Sequence, residues 1–512
     1  MAGIGRTYDY IGPSDLLALV GSAPSGCRIH SPVDLASWLG DQSPADLAEP
    51  FTYVVDRSGV LRLAPRRSEH VVCAGGEPVL GAGEVSFTRS PSGWRVDEVS
   101  NQSTGYCPDP ACWPAVASAL DRAGIARPDG FTHPIVFRHC PACGERNIVR
   151  ESSYVCALCD ADLLPAAVTL DELVSSPLTT LAPDASQAPT RVDDILTLID
   201  LDAGAKDLDA ALRILGNATR LTVGIARTPW PATLQPAVDR LTFTLATRDA
   251  PGRAHVTAPD LDAAVDQLTT AITPAPRAAL VLANLLRITA TSSVVDGVAA
   301  ESLAYSALLA GPEFATWRAA RPTRPVPPPP DAPVLVNRTG ATLQITLNRP
   351  ERRNAFGHAV RDALLDALDL VASDPTLHAE LRGTGPSFCS GGGLDEFGTA
   401  ADPATAHVTR LARSAGLAVH RLRDRVTPHL HGACVGAGIE VPAFAARVVA
   451  APDAWFQLPE LSLGLIPGAG GTVSLTHRIG RWRTAWLALT GTRLTADQAL
   501  GWGLVDAVEG VE

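Results

Sequence analysis

The chain has 512 residues, too many for one ordinary hydrophobic core, and its length suggests about three domains. Its 54 acidic residues against 42 basic ones leave a net charge of −12, which excludes a global attraction for nucleic acid or an anionic membrane. Residues 1–10 carry no apolar signal region and no later run reaches a membrane span without polar or proline interruption. A soluble, cytoplasmic protein with no membrane and no nucleic-acid partner is expected.

Residues 1–165 read as an α+β unit. Helical stretches at 13–20 and 33–39 precede segments at 51–56, 60–64 and 84–88 whose alternation predicts antiparallel strands. Residues 98–106 are dense in hydrogen-bonding side chains, open to a reading as a binding loop or as a self-bonded turn, the commoner fate of such runs. A helix at 113–123 and a strand at 136–138 lead to Cys140-Pro-Ala-Cys143 and Cys156-Ala-Leu-Cys159. Two CxxC knuckles let four thiolates converge tetrahedrally on one structural zinc ion, with Gly144 permitting the tight turn, so the unit is expected to end in a zinc ribbon. Repetition of the knuckle and the absence of a thioredoxin-like βαβ pattern disfavour four idle thiols or a redox pair. Cys107 and Cys112 are taken as ordinary thiols, since the sequence shows no second knuckle that would complete another metal site with them.

Residues 170–320 read as an α/β and helical domain. Segments at 194–200, 208–215, 221–226 and 241–246 follow a β-α-β-α-β pattern, and no phosphate fingerprint supports nucleotide binding. Helical patterns follow at 277–286, 297–309 and 313–320. Residues 321–333, Arg-Pro-Thr-Arg-Pro-Val-Pro-Pro-Pro-Pro-Asp-Ala-Pro, cannot hold a helix or central strand and are expected to form a stiff polyproline linker, a signalling-domain ligand being the other reading.

Beyond residue 334 four motifs carry chemistry. Leu347-Asn-Arg-Pro-Glu-Arg-Arg-Asn-Ala-Phe356 leads into an amphipathic helix, and Pro386-Ser-Phe-Cys-Ser-Gly-Gly-Gly-Leu-Asp-Glu-Phe397 is a glycine-rich loop. His431-Gly-Ala-Cys-Val-Gly-Ala-Gly-Ile-Glu440 puts small residues at a loop-to-helix junction, where free N–H groups and the positive helix end can face a developing oxyanion. Glu440 falls nearly one helical turn past Ala437 and can share a face with those donors. Phe456-Gln-Leu-Pro-Glu460, running on to Ile466-Pro-Gly-Ala-Gly-Gly471, sets Glu460 between an apolar strand and a glycine-rich turn. Each motif alone would read as a turn with a solvated carboxylate. Together, two carboxylates and an N–H cradle are acid–base equipment for chemistry beside a carbonyl.

In order and spacing these motifs resemble the crotonase (enoyl-CoA hydratase/isomerase) superfamily from about residue 333 onward. The resemblance implies a multidomain α/β chain whose residues 334–512 form a crotonase-like β/α spiral. It implies that the Gly392 and Ala437 N–H groups bind an acyl-thioester oxygen and that Glu440 and Glu460 are the acid–base pair. The substrate would be a thioester of coenzyme A or of an acyl carrier, and the protein a homo-oligomer. The sequence departs from the pattern at Gly393, where aspartate is usual, and at Ala437, where glycine is commoner; the first is expected to loosen the loop after Gly392. The presence of both glutamates favours a hydratase or dehydratase over an isomerase. His429 and His431 are expected to be structural, His431 near the cradle. Family members of ordinary length continue with helices past the position of Glu512; the helices at 277–320 are expected to pack on that surface, or else only to close the second domain. A helical region ahead of the motifs is also similar to the cofactor-independent dihydroxyphenylacetyl-CoA dioxygenases, which leaves an oxygenase, and a noncatalytic zinc-ribbon scaffold, as alternatives.

Overall fold

The computed structural model describes residues 7–21, 25–90, 93–108, 110–140, 143, 145–149, 155–159, 167–175, 192–321 and 332–510. Residues 322–331 of the expected polyproline linker, and Gly144, lie outside them. The chain divides into two compact units, Met1–Leu163 and Leu164–Glu512.

In the first unit, Cys27–Ile29, Leu61–Ala64, Phe51–Asp56, Val79–Ser90 and Gly93–Val99 lie side by side in that order as an antiparallel sheet. Phe51–Asp56 is buried along its whole length, so its β-branched and aromatic residues serve both faces. The helix Pro32–Gly40 starts where Ser31 accepts from the Asp34 N–H and proline takes the first helical position. The polar run at 98–106 is a packing element: buried Asn101 donates to the Pro108 and Ile135 carbonyls and accepts from the Ile135 N–H. The run also bonds to itself: the Gln102 N–H donates to Ser100 Oγ at 3.3 Å, and the Cys107 N–H donates to the Ser103 carbonyl at 2.7 Å across a turn.

The second unit opens with a five-stranded parallel sheet in chain order, Val168–Thr169, Leu196–Asp200, Leu221–Ala226, Phe243–Ala246 and His255–Thr257. The helix Val192–Ile195 occupies the start of the strand expected at 194–200. Helices Leu261–Ile272, Pro276–Thr289, Val294–Leu309 and Pro312–Ala319 follow. Strands Val334–Thr339, Thr342–Leu347, His378–Gly383, Val426–Leu430, Val449–Ala450 and Ala507–Val508 then form a six-stranded sheet, antiparallel in its first pair and parallel afterwards. A smaller sheet joins Ala433–Val435, Trp455–Gln457 and Leu494–Thr495.

A large hydrophobic core runs through all three sheets of this unit, with a smaller cluster on the parallel sheet beside it. The helix Gly471–Thr490, kinked at Gly480 where φ is 82°, is its hinge pin: it packs on Pro276–Thr289, on Val294–Leu309 and on the strands Phe243–Ala246 and His255–Thr257. Thr289 Oγ1 donates to the Thr472 carbonyl at 2.7 Å, and the Phe243 and Trp486 rings meet edge to face at 5.7 Å. Gly297 allows a close approach, since a Cβ there would lie 2.9 Å from Val473 Cγ2. The upstream helices therefore pack on the helix that begins where the fourth motif ends. Among the described residues no single helix is long and apolar enough to cross a membrane.

Candidate active site

The loop carrying Gly392 is laid against the strand Ala433–Val435. Phe388 N donates to His431 O at 2.9 Å, Cys389 N to Ala433 O at 3.1 Å, and Val435 N to Cys389 O at 3.0 Å. This brings the loop beside the short helix Ala437–Glu440, whose Gly438 must lack a side chain because a Cβ would sit 2.4 Å from the Cys389 carbonyl oxygen. Among the hydrogen bonds of the described residues, none uses the Gly392 or the Ala437 N–H. The departure at Gly393 leaves the loop anchored by Asp395 and Glu396, two and three residues further on. Asp395 pairs with Arg352, and Glu396 accepts from the His358 N–H at 2.8 Å while meeting His358 Nδ1 at 3.0 Å. His431 has a structural partner, the Gly385 carbonyl at 2.9 Å.

Glu440 is only 2% exposed and its Oε2 accepts from the Ala469 and Gly471 N–H groups at 2.8 and 2.9 Å. Glu460, on the turn Glu460–Leu463 after the strand Trp455–Gln457, is 9% exposed, and its Oε2 is buried without a hydrogen-bond partner among the described residues. Burial, and then the neighbouring Glu460 and Glu301, hold the Glu440 carboxyl well above the usual carboxylate range. Burial, with the Glu301 charge adding to it, pushes Glu460 up to about 8. Two carboxyls raised in this way resist ionising together, so at neutrality the pair holds a proton on one member while the other can accept one.

Gly392, Ala437, Glu440 and Glu460 line one cavity of about 610 Å³. Its wall also contains three residues that the motifs did not single out. Tyr305 and Glu301 come from the helix Val294–Leu309, and Arg410 from Pro403–Ala412. Arg410 donates to the Ser302 and Ser306 hydroxyls at 2.8 and 3.1 Å and lies 4.5 Å from the Tyr305 ring centre. Glu301, 1% exposed, is pushed up to about 7 by burial, against the lowering effect of hydrogen bonds from Thr472 and Gly470 and of the Arg410 charge. The sequence did carry a signal: Glu301 is one of two charged residues in a 16-residue helix, the other being Asp296 in its first turn.

A second cluster lies in the first unit. The Sγ atoms of Cys140, Cys143, Cys156 and Cys159 are all within 4.8 Å of one another, with Cys140 to Cys159 at 3.5 Å and Cys143 to Cys156 at 3.7 Å. A tetrahedral zinc with bonds of about 2.3 Å would set its sulfurs about 3.8 Å apart, so the donor set fits that ion. The hairpin Val136–His139 with Arg146–Val149 brackets the first knuckle, and Asn147 Nδ2 and the Leu158 N–H each approach Cys156 Sγ at 3.4 Å. Such donors stabilise a thiolate.

Residues 337–512 match the family described as enoyl-CoA hydratase/isomerase. The chain is 34% identical over 176 residues to the 2,3-dehydroadipyl-CoA hydratase of Escherichia coli, a match covering 34% of this chain and 68% of that protein. It is 34% identical over 167 residues to a mevalonyl-coenzyme A hydratase of Aspergillus fumigatus, covering 32% and 62%. It is 36% identical over 175 residues to the 1,2-epoxyphenylacetyl-CoA isomerase of E. coli, covering 32% and 64%. The chain thus spans about two thirds of the length of the curated relatives it matches. Motif order, the cavity they line and this shared sequence lead to one conclusion: the chain belongs to the enoyl-CoA hydratase/isomerase, or crotonase, family.

Proposed function

We propose that the protein hydrates a 2-enoyl thioester, or dehydrates the corresponding 3-hydroxyacyl thioester, of coenzyme A or an acyl carrier. What supports this reading is the cavity lined by Gly392, Ala437, Glu440 and Glu460, two uncommitted N–H donors beside two buried carboxylates. The thioester oxygen takes both N–H groups, which favour the enolate over the neutral carbonyl and so act selectively in the transition state. One glutamate accepts a proton from water as its oxygen bonds to C3, and the other delivers a proton to C2; the net change is addition of water across the double bond. Glu460 Oε2, without a hydrogen-bond partner among the described residues, is the atom to which we assign the water.

The matched relatives named above are hydratases and an isomerase, which does not favour the oxygenase or scaffold readings. In the same reading the four cysteines hold one structural zinc, and several copies of the chain associate. The test is a panel of enoyl-, hydroxyacyl- and aryl-acetyl-CoA thioesters with oxygen uptake recorded alongside. Interconversion of an enoyl and a hydroxyacyl thioester without oxygen uptake is expected. Oxygen-dependent turnover of an aryl-acetyl thioester alone would overturn the reading.

A further inference from the structure

Four successive N–H groups of the turn before and into the helix Gly471–Thr490 are shared alternately between two glutamates. Ala469 N and Gly471 N donate to Glu440 Oε2 at 2.8 and 2.9 Å. Gly470 N donates to Glu301 Oε1 at 2.7 Å, and Thr472 N and Oγ1 donate to Glu301 Oε2 at 2.9 and 2.7 Å. Consecutive N–H groups at a helix start form an anion cradle, and here the cradle is filled by two carboxylates at once.

Resting on the hydratase reading, we propose that Glu301, a residue outside the matched region 337–512, is a positioning residue that fixes the turn holding Glu440. Glycines at 468, 470 and 471 make this turn costly to order, and Gly470 takes a φ of 106° that glycine adopts without steric cost. Bonds from Glu440 alone would leave Gly470 N and Thr472 N unpaired in a buried place. Glu301 supplies both acceptors, and its own helix is fastened at the adjacent Ser302, which accepts from Arg410 Nη1 and contacts His407 Nδ1 at 3.0 Å. Its carboxylate also lies close enough to raise both Glu440 and Glu460. Glu301 therefore does more than cap a helix: it sets where Glu440 stands and in what charge environment.

The experiment compares the full-length wild type with Glu301→Gln, Thr472→Val and Glu440→Gln, each checked for a cooperative melting transition. It reads kcat, KM and residue-resolved hydrogen exchange across 466–473. A glutamine in place of Glu301 sets an N–H group against N–H donors. In Glu301→Gln, kcat is expected to fall about tenfold or more with KM within about threefold, the pattern of a lost transition-state geometry. Exchange should accelerate at Ala469 and Gly471, whose bonds go to Glu440. Thr472→Val, which removes only the hydroxyl donor, should move the same readouts less, and it carries the test if Glu301→Gln does not fold. Unchanged kcat and unchanged exchange at Ala469 and Gly471 would overturn the proposal, even if the melting temperature drops. If Glu440→Gln keeps full turnover, the hydratase reading fails instead, and exchange at Ala469 and Gly471 still decides the role of Glu301.

Discussion

Glu440 and Glu460 bring their Oε1 atoms to the same side of Gly436: a Cβ on that glycine would lie 2.5 Å from Glu460 Oε1 and 3.7 Å from Glu440 Oε1. The space beside this Cα is where the two carboxylates approach each other, with Glu460 Oε2 left for the proposed water. Gly436 also adopts a φ of 49°, which an L side chain takes only at a cost. Gly436→Ala should therefore displace Glu460 and lower kcat by about tenfold or more while the chain still melts cooperatively. Retention of wild-type kcat in this variant would show that the space is not used.

Stability should depend on pH in the direction set by the buried carboxyls. Between the ordinary glutamate value of 4.5 and the raised values of about 7 for Glu301 and about 8 for Glu460, the folded chain retains protons that the unfolded chain has released. The contribution of these groups to stability is thus greatest at and below the ordinary value, falls as pH rises through that window, and levels off above the folded values. Melting temperatures from pH 5 to 8 should decline less in Glu460→Gln than in the wild type. Equal slopes would contradict the assignment of a retained proton to Glu460.

Elemental analysis should find about one zinc per chain, because four thiolates complete one closed tetrahedral site. Chelation or Cys156→Ala should raise hydrogen exchange across 136–159 while thioester turnover persists. Metal-free protein with full protection across that hairpin would remove zinc from the account.

Much of the fold follows from local patterns. Phe51–Asp56 and Leu221–Ala226 are apolar runs of strand length, Leu208–Gly216 is amphipathic and capped by Asp207, and the paired knuckles point to their own cluster. Glu440 and Glu460 were legible because each sits in a motif whose glycines are required by close backbone approach. Glu301 was not, for a physical reason. The buried side of its helix consists of Gly297, Glu301, Ser302, Tyr305 and Ser306 among a few apolar residues, so no hydrophobic stripe marks it. Its partner Gly470 lies 169 residues away in sequence, and a lone glutamate in such a helix reads as solvated. The helix Gln235–Arg240 and the strand His255–Thr257 escaped notice because they are too short to show a period.

The central claim is that Glu440 and Glu460 move protons to and from an acyl thioester held at Gly392 and Ala437. The most direct measurement is kcat of Glu440→Gln and Glu460→Gln on the thioester that the wild type turns over, with thioester binding measured in parallel. Each substitution keeps side-chain shape but abolishes proton transfer, so kcat should fall by about 10²–10⁴-fold in each while binding persists. Wild-type kcat in both variants would contradict the account.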